Sequence, residues 1–414
     1  MSSLLITGIK CLVNTRAQYS LLRGNELAIL PCIQNAYLLI EGNEIAAFGS
    51  MNQLPPKSRQ PTNRFDATGR FILPAWCDSH THLVFAKSRE EEFVQKIKGM
   101  SYAEIAAAGG GIVNSANVLN NTSEDELFNF AWKRLEEVSR LGTGAIEIKS
   151  GYGLTVEGEL KILRVIKRIK DRSSLFVRST FLGAHTYPTA YKENHQGYIK
   201  LIIDEMLPVI AAGKLADYID VFCESGFFSP EETIQICTAG LKYGLKAKIH
   251  ANQLSLSGGV QAGIKVGAIS VDHLETMDTE TMEVLAQSGT IGTLLPTAAY
   301  FLRMPFQPAR QLIDAGCAIA IASDYNPGSS PSGNMNIVVS MSCIQMNMTP
   351  EEAINAATIN GAYAMGLQDE AGSITIGKKA NLIITKQIPS LAYIPYAFGT
   401  NLIDHVLIKG DMIF

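Results

Sequence analysis

The strongest constraint on this chain is an alternation. Between residues 70 and 324, eight short apolar runs are separated by stretches of helical period: "RFILPAWCDSH", "AIEIKS", "SLFVRSTFLGAH", "YIDVFCE", "LKAKIH", "AISVDHLE", "GTIGTLLP" and "AIAIASD". Runs of this kind are what a parallel sheet buried on both faces requires. The intervening segments read as amphipathic helices. In "SEDELFNFAWKRLEEVSRLG", Ser123 and Glu126 have capping-box spacing, and Gly142 is placed to end the helix. Leu127, Phe130, Ala131, Leu135 and Val138 follow the helical period. "ELKILRVIKRIKD" reads the same way. Eight strands alternating with helices over about 250 residues is the size of a (β/α)8 TIM barrel. A doubly wound open sheet is the alternative.

The two ends have a different texture. "LLITGIKCLVN", "AYLLIEGNEIAAFG" and "RFDATGRFILP" are β-rich and separated by Gly, Asn and Pro, and "GSITIGKKANLIIT" and "LIDHVLIKGDMIF" repeat the pattern. Neither end closes a core alone. The expected organisation is one small β-sandwich domain built from residues 1–70 and 366–414, around an α/β barrel at 71–365. A chain of 414 residues can hold both.

Composition excludes several classes. Hydrophobic residues make up 47% and charged residues 18%, which describes a globular chain. The net charge is −4 and no basic block stands out, so neither nucleic acid nor an acidic membrane is an expected partner. "MSSLLITGIK" lacks the pattern of a signal peptide, and no apolar run is long enough to span a bilayer. The 7 cysteines are scattered and odd in number, which points to a reducing cytoplasm.

In a barrel of this type, function lies at the C-terminal ends of the strands. The first run ends at His80 and His82, the third at His185, the fourth at Glu224, the fifth at His250, the sixth at His273 and the eighth at Asp324. Five of the 7 histidines therefore fall at strand ends, and only His195 and His405 lie elsewhere. Residues i and i+2 of a strand face the same side, so His80 and His82 can both point to the barrel axis. Neutral imidazoles with a carboxylate suit Zn²⁺ or Fe²⁺, and such an ion brings the pKa of bound water toward neutrality.

This pattern resembles the amidohydrolase superfamily. Longer stretches are similar to the imidazolonepropionase family within it: "DSHTHLVFAKSREEEF", "IEIKSGYGL", "TFLGAH", "DVFCE", "IHANQ", "DHLE", "LLPTAAYFLR" and "ASDYNPGSSPSGNMN". The resemblance implies hydrolysis of the cyclic amide 4-imidazolone-5-propanoate to N-formimino-L-glutamate in histidine degradation, with metal-bound hydroxide attacking the ring carbonyl. It implies one metal per subunit, Zn²⁺ or Fe²⁺/Fe³⁺, held by His80, His82, His250 and Asp324. It also implies that Arg89, Tyr102, Tyr152, His185 and Asn326 surround the substrate, with His273 near the ring carbonyl. The apolar composition and the resemblance are compatible with a homodimer and do not fix the oligomeric state. Nor do the ligand types choose between zinc and iron.

Each role has a chemical reason. The planar fork of Arg89 suits the substrate's propionate. Glycines flank Tyr152 and suit an irregular loop beside a ligand. Tyr102 precedes an Ala-rich stretch and "GGG", the composition of a flap. Backbone N–H groups of "NPGSSPSG", Gly328 and Ser329 among them, can bind a carboxylate. One feature departs from relatives that place an acid after the fifth-strand histidine: here "HANQ" gives Asn252 and Gln253. An amide orients substrate or water but shuttles no proton at neutral pH. The acid/base role therefore moves to Asp324 and His273, with Gln253 left to orient. The same amide weighs against the alternative, an aminohydrolase of a purine- or pyrimidine-like heterocycle. A scaffold that binds metal without catalysis is disfavoured by the presence of all four ligands. Glu224 is expected to orient a ligand histidine, since no lysine stands at its strand end to complete a second metal site.

Overall fold

The apolar runs sort into two eight-stranded sheets, seen in a computed structural model that describes residues 3–100, 104 and 110–413. The first sheet gathers the termini. It takes β1 (Ser3–Val13), β2 (Cys32–Glu41), β3 (Glu44–Ser50), β4 (Arg64–Asp66) and β5 (Arg70–Pro74) from one end, and β14 (Leu382–Gln387), β15 (Ile403–Ile408) and β16 (Asp411–Met412) from the other. Its path runs β16-β15-β14-β5-β1-β2-β3, with β4 added beside β1. Ile6, Leu12, Leu38, Ile40, Ile72, Leu382, Ile384 and Leu407 form its apolar cluster, so neither terminus is stable there without the other.

The second sheet is the barrel. Its strands are β6 (Trp76–Asp78), β7 (Thr143–Lys149), β8 (Phe176–Ala184), β9 (Tyr218–Cys223), β10 (Lys246–Ala251), β11 (Ser270–His273), β12 (Ile291–Leu294) and β13 (Ile319–Ile321). All neighbours are parallel and spatial order equals chain order. Every residue of β7 and β9 is buried, the reason these runs are mainly apolar. Helices such as Glu124–Arg140, Val156–Arg172 and Pro230–Lys242 make the crossovers.

Among the described residues β6 and β13 share no ladder. The barrel closes just beyond their ends instead. The Asp324 N–H donates to the His80 carbonyl at 3.0 Å, and the His82 N–H donates to the Tyr325 carbonyl at 2.9 Å. The Asp78 carboxylate accepts from the Ser323 N–H at 3.0 Å and from its hydroxyl at 2.6 Å.

Two sequence expectations need correction. The run at 70–80 is two strands, not one: Arg70–Pro74 pairs with β1 and β14 in the terminal sheet, and only Trp76–Asp78 enters the barrel. Pro74 has no N–H to give a ladder, and the chain changes sheets there. In helix Glu124–Arg140 the capping box forms as expected, but Phe130 is 38% exposed while Phe128 is buried. At 100° per residue, Phe128 lies about 50° from the centre of the apolar stripe and Phe130 about 110°. No helix among the described residues is long and apolar enough to cross a membrane.

Candidate active site

Four histidines and an aspartate converge where β6, β10, β11 and β13 end. Ligating atoms of His80, His82 and His250 lie within 4.8 Å of one another, as do those of His80, His273 and Asp324. All five side chains are buried. His80 and His82 follow β6 in an extended segment whose middle residue, Thr81, bridges Tyr325 and donates its hydroxyl to the Glu147 carbonyl at 2.6 Å. That alternation puts both imidazoles on one side.

The Nδ1 atoms are turned away from the centre. His80 Nδ1 lies 2.7 Å from Asp272 Oδ2, and His82 Nδ1 lies 3.2 Å from the Ser150 carbonyl. His250 Nδ1 is 3.0 Å from Asp220 Oδ2, out of line for a hydrogen bond as the ring stands. His80 Nε2 and His250 Nε2 are buried without a hydrogen-bond partner among the described residues. Asp324 Oδ1 stands 3.5 Å from His80 Nε2 and 3.8 Å from His82 Nε2. Burial, then Lys149, holds His80 well below the usual imidazole range; the same two causes act on His250. For His82 the causes are burial and then His185. Neutral rings with orphaned Nε2 atoms beside a carboxylate are the donor set of a zinc or iron site, and these residues fit such an ion.

His273 differs from the other three. Burial is the largest influence and opposes its charge, but Glu275, with Oε1 3.4 Å from His273 Nδ1, together with Asp324 and Asp272 outweighs it and raises the pKa. Gln307 donates to the same Glu275 oxygen at 3.0 Å. Burial pushes the Asp324 carboxyl up to about 6, against the pull of His273. Asn252, His273, Leu274 and Asp324 have φ of 54°, 89°, 66° and 52°. Left-handed backbone at such residues is strained by on the order of 1–3 kcal/mol each, and the surrounding barrel holds it in place.

A cavity of about 560 Å³ opens onto this centre, lined by His82, Arg89, Tyr152, His185, Gln253, His273, Asp324, Asn326, Gly328 and Ser329 among others. Arg89 donates from Nε to Ser115 at 2.8 Å, while its buried Nη2 has no hydrogen-bond partner among the described residues. Tyr152 donates to Asn326 Oδ1 at 3.4 Å. Its loop is pinned by Glu159, which accepts from the N–H groups of Gly151, Gly153 and Leu154 at 2.9, 2.7 and 3.1 Å. His185 Nδ1 lies 2.9 Å from the Gly151 carbonyl, and burial pushes this ring down to about 4, leaving it neutral. Tyr102 lies outside the described residues.

Two expected contacts take another form. The N–H groups of Gly328 and Ser329 both donate to Asn326 Oδ1 at 2.8 Å, so the asparagine organises this loop, and Ser329 Oγ donates to Asp324 Oδ2 at 3.1 Å. Among the described residues Glu224 makes no hydrogen bond to a histidine. It accepts from Ser225 N at 2.8 Å, Leu254 N at 2.9 Å and Ser255 N at 3.4 Å, fixing the loop that carries Gln253. The sequence reading missed Asp220, Asp272, Glu275 and Gln307. A signal existed for the two aspartates: each is a charge inside an otherwise apolar barrel strand.

Fold and site together define a class: the chain belongs to the amidohydrolase family, whose sequence profile matches residues 71–413. Within it the chain is similar to imidazolonepropionases over nearly its whole length. It is 59% identical over 410 residues to the imidazolonepropionase of Flavobacterium johnsoniae, covering 99% of each chain. It is 54% identical over 412 residues to that of Christiangramia forsetii, covering 99% of this chain and 100% of the other. In fold it is similar to a solved triazine hydrolase variant, with TM-score 0.74 at 16% identity over 99% of this chain and 94% of that one. It is likewise similar to Escherichia coli guanine deaminase, with TM-score 0.72 at 14% identity over 100% and 99%. At these identities the two structures bear on fold alone.

Proposed function

We propose that this chain hydrolyses the ring amide of 4-imidazolone-5-propanoate to N-formimino-L-glutamate. The observation that carries the reading is the 59% identity to an imidazolonepropionase across 99% of both chains. The cavity supports it by placing an orphaned guanidinium nitrogen and a buried His/Asp centre around one space.

His80, His82, His250 and Asp324 would hold one Zn²⁺ or iron ion. When bound, that ion supplies Lewis acidity, polarising an oxygen and acidifying water. Arg89 takes the substrate's propionate, with Tyr152 and Asn326 shaping the wall beside it. His185, neutral with Nδ1 turned to Gly151, offers Nε2 to a ring N–H. Asp324 removes the proton of the attacking water at a carboxylate oxygen. His273, its Nδ1 engaged by Glu275, donates from Nε2 to the carbonyl oxygen as negative charge builds there. Asp324 then delivers its proton to the leaving ring nitrogen as the C–N bond breaks. Gln253 orients without transferring a proton. The described cysteines are all free thiols, which supports a cytoplasmic enzyme.

The test is hydrolysis of freshly made 4-imidazolone-5-propanoate, followed by its ultraviolet absorbance, with native, chelator-stripped and metal-restored protein. Loss of absorbance in the first and third samples, with N-formimino-L-glutamate formed, is the expected result. No turnover by folded, metal-loaded protein would overturn the substrate assignment.

A further inference from the structure

Inward-facing positions of four barrel strands carry charge at period two: Glu147 and Lys149 on β7, Asp220 on β9, Lys248 on β10, Asp272 on β11. All five are at most 1% exposed. Lys149 stands at their centre. Its ammonium is 2.8 Å from Glu147 Oε1, 2.7 Å from Asp220 Oδ2 and 3.5 Å from Asp272 Oδ2. The last two oxygens are the ones that face His250 Nδ1 and His80 Nδ1. Lys248 closes the far side, donating to Glu147 Oε2 and, at 3.0 Å, to the Ser79 carbonyl next to His80. Hydroxyls take remaining lone pairs: Thr180 donates to Glu147 Oε1 at 2.6 Å and Ser270 to Asp272 Oδ1 at 2.5 Å.

We infer that Lys149 is a positioning residue for the metal site: one buried ammonium locks the two carboxylates that aim His80 and His250, and so sets the affinity of the whole centre. The reason is geometric. A ligand histidine is oriented by the partner of its second nitrogen. Two such partners on β9 and β11 flank the ligand strand β10, and a single cation between them ties their positions together. Without it, Glu147 would keep Lys248, but Asp220 and Asp272 would lose the cation between them in a dry interior and would have to move apart. That movement turns His80 and His250 away from a common point. Among the described residues Lys149 makes no hydrogen bond or ion pair with a ligand nitrogen, so its hold on their geometry passes through Asp220 and Asp272, beside the direct charge repulsion on His80 and His250. The inference rests on the metal site and not on the substrate.

The experiment measures metal affinity without substrate. Lys149→Met, Asp272→Asn and their double variant are titrated with Zn²⁺ against a chromophoric chelator. The visible spectrum of Co²⁺-loaded protein is recorded, and circular dichroism checks the fold. Lys149→Met should weaken Zn²⁺ binding about 10–100-fold and change the Co²⁺ bands. The loss in the double variant should fall short of the product of the single losses, since both act through one contact. Folded Lys149→Met that binds Zn²⁺ within twofold of the unaltered protein overturns the inference, as do independent losses. Should Lys149→Met not fold, Asp220→Asn and Asp272→Asn replace it. Coupled losses in that pair support a shared clamp, and independent losses overturn it. Protein that binds metal normally but leaves the imidazolone intact would count against the proposed reaction alone.

Discussion

Gly328 lies directly against the guanidinium of Arg89: a Cβ at that glycine would stand 2.8 Å from Nη1 and 3.4 Å from Cζ. The obstacle is the far end of a flexible side chain, so the backbone would tolerate alanine while the arginine would swing aside. Gly328→Ala should therefore raise KM about tenfold with kcat changed only a few-fold, the signature of lost ground-state binding. Arg89→Met should do more, about 10–100-fold in KM, by removing a charged hydrogen-bond pair. An unchanged KM in both, by steady-state kinetics, would remove the propionate from this corner of the cavity.

Glu159 is buried and holds three N–H groups of the loop around Tyr152. Glu159→Ala leaves those donors without an acceptor, a loss of about 1–3 kcal/mol for an unsatisfied buried group. The expected result is a lower melting temperature together with a raised KM, because the loop is part of the cavity wall. A lower melting temperature with unaltered kinetics would show that the loop keeps its shape without the carboxylate.

Removing the metal tests the donor set independently of turnover. Ions that bind only the folded chain stabilise it by about 4 kcal/mol at a thousandfold excess over Kd. Chelator-treated protein should melt earlier and recover fully on adding Zn²⁺. His82→Ala should abolish that metal-dependent increment. A melting curve indifferent to chelator and Zn²⁺ would contradict a site at His80, His82, His250 and Asp324.

His273 and Asp324 should separate cleanly. His273→Gln should keep near-stoichiometric metal while kcat falls about 10²–10⁴-fold, the range for a lost acid–base or charge-stabilising group. Asp324→Asn should lower both metal content and kcat. Metal analysis of the purified variants beside kcat decides. A His273→Gln variant with full activity would move the carbonyl donor elsewhere.

Lys378 gives a pH dependence far from the catalytic centre. Burial holds its ammonium down to about 8, although Nζ donates to the Ala371 carbonyl at 3.0 Å and to Ser373 at 2.8 Å. The unfolded chain keeps this proton to about 10.4. Between those values the unfolded state binds more protons, so this group makes stability rise with pH, by up to about 1.4 kcal/mol per unit. Below pH 8 it contributes no slope. Lys378→Met should remove this rise, seen as the difference between the two proteins' urea midpoints from pH 8 to 10. Parallel curves would refute the depressed value.

The barrel was readable because a parallel strand buried on both faces leaves a mainly apolar run, and each of the eight runs holds a barrel strand. The first run misled because continuity of hydrophobicity does not mark a change of sheet; Pro74 did. The strand-end histidines were readable since the fold places function there. Asp220 and Asp272 were not found, since one acid in a strand reads as an isolated polar residue until three dimensions bring it to an imidazole. Glu224 was misread for the opposite reason. Its position at a strand end matched the ligands, but its side chain turns to the backbone N–H groups of the neighbouring loop. The proposal that Asp324 and His273 share the acid/base work rests on the amide at Gln253, which cannot carry a proton at neutral pH.

The seam of the barrel runs through the candidate metal site. His80 and His82 follow the first strand, Asp324 follows the last, and the two ends meet through the backbone hydrogen bonds at His80, His82, Asp324 and Tyr325 and through Ser323 donating to Asp78. An ion held there is a clasp on a closed ring. A chain truncated before residue 324 would keep His80, His82 and His250 but lose the carboxylate that completes the candidate site. An ion bound at this joint would tie the beginning of the barrel to its end, and its removal would loosen that joint before any other.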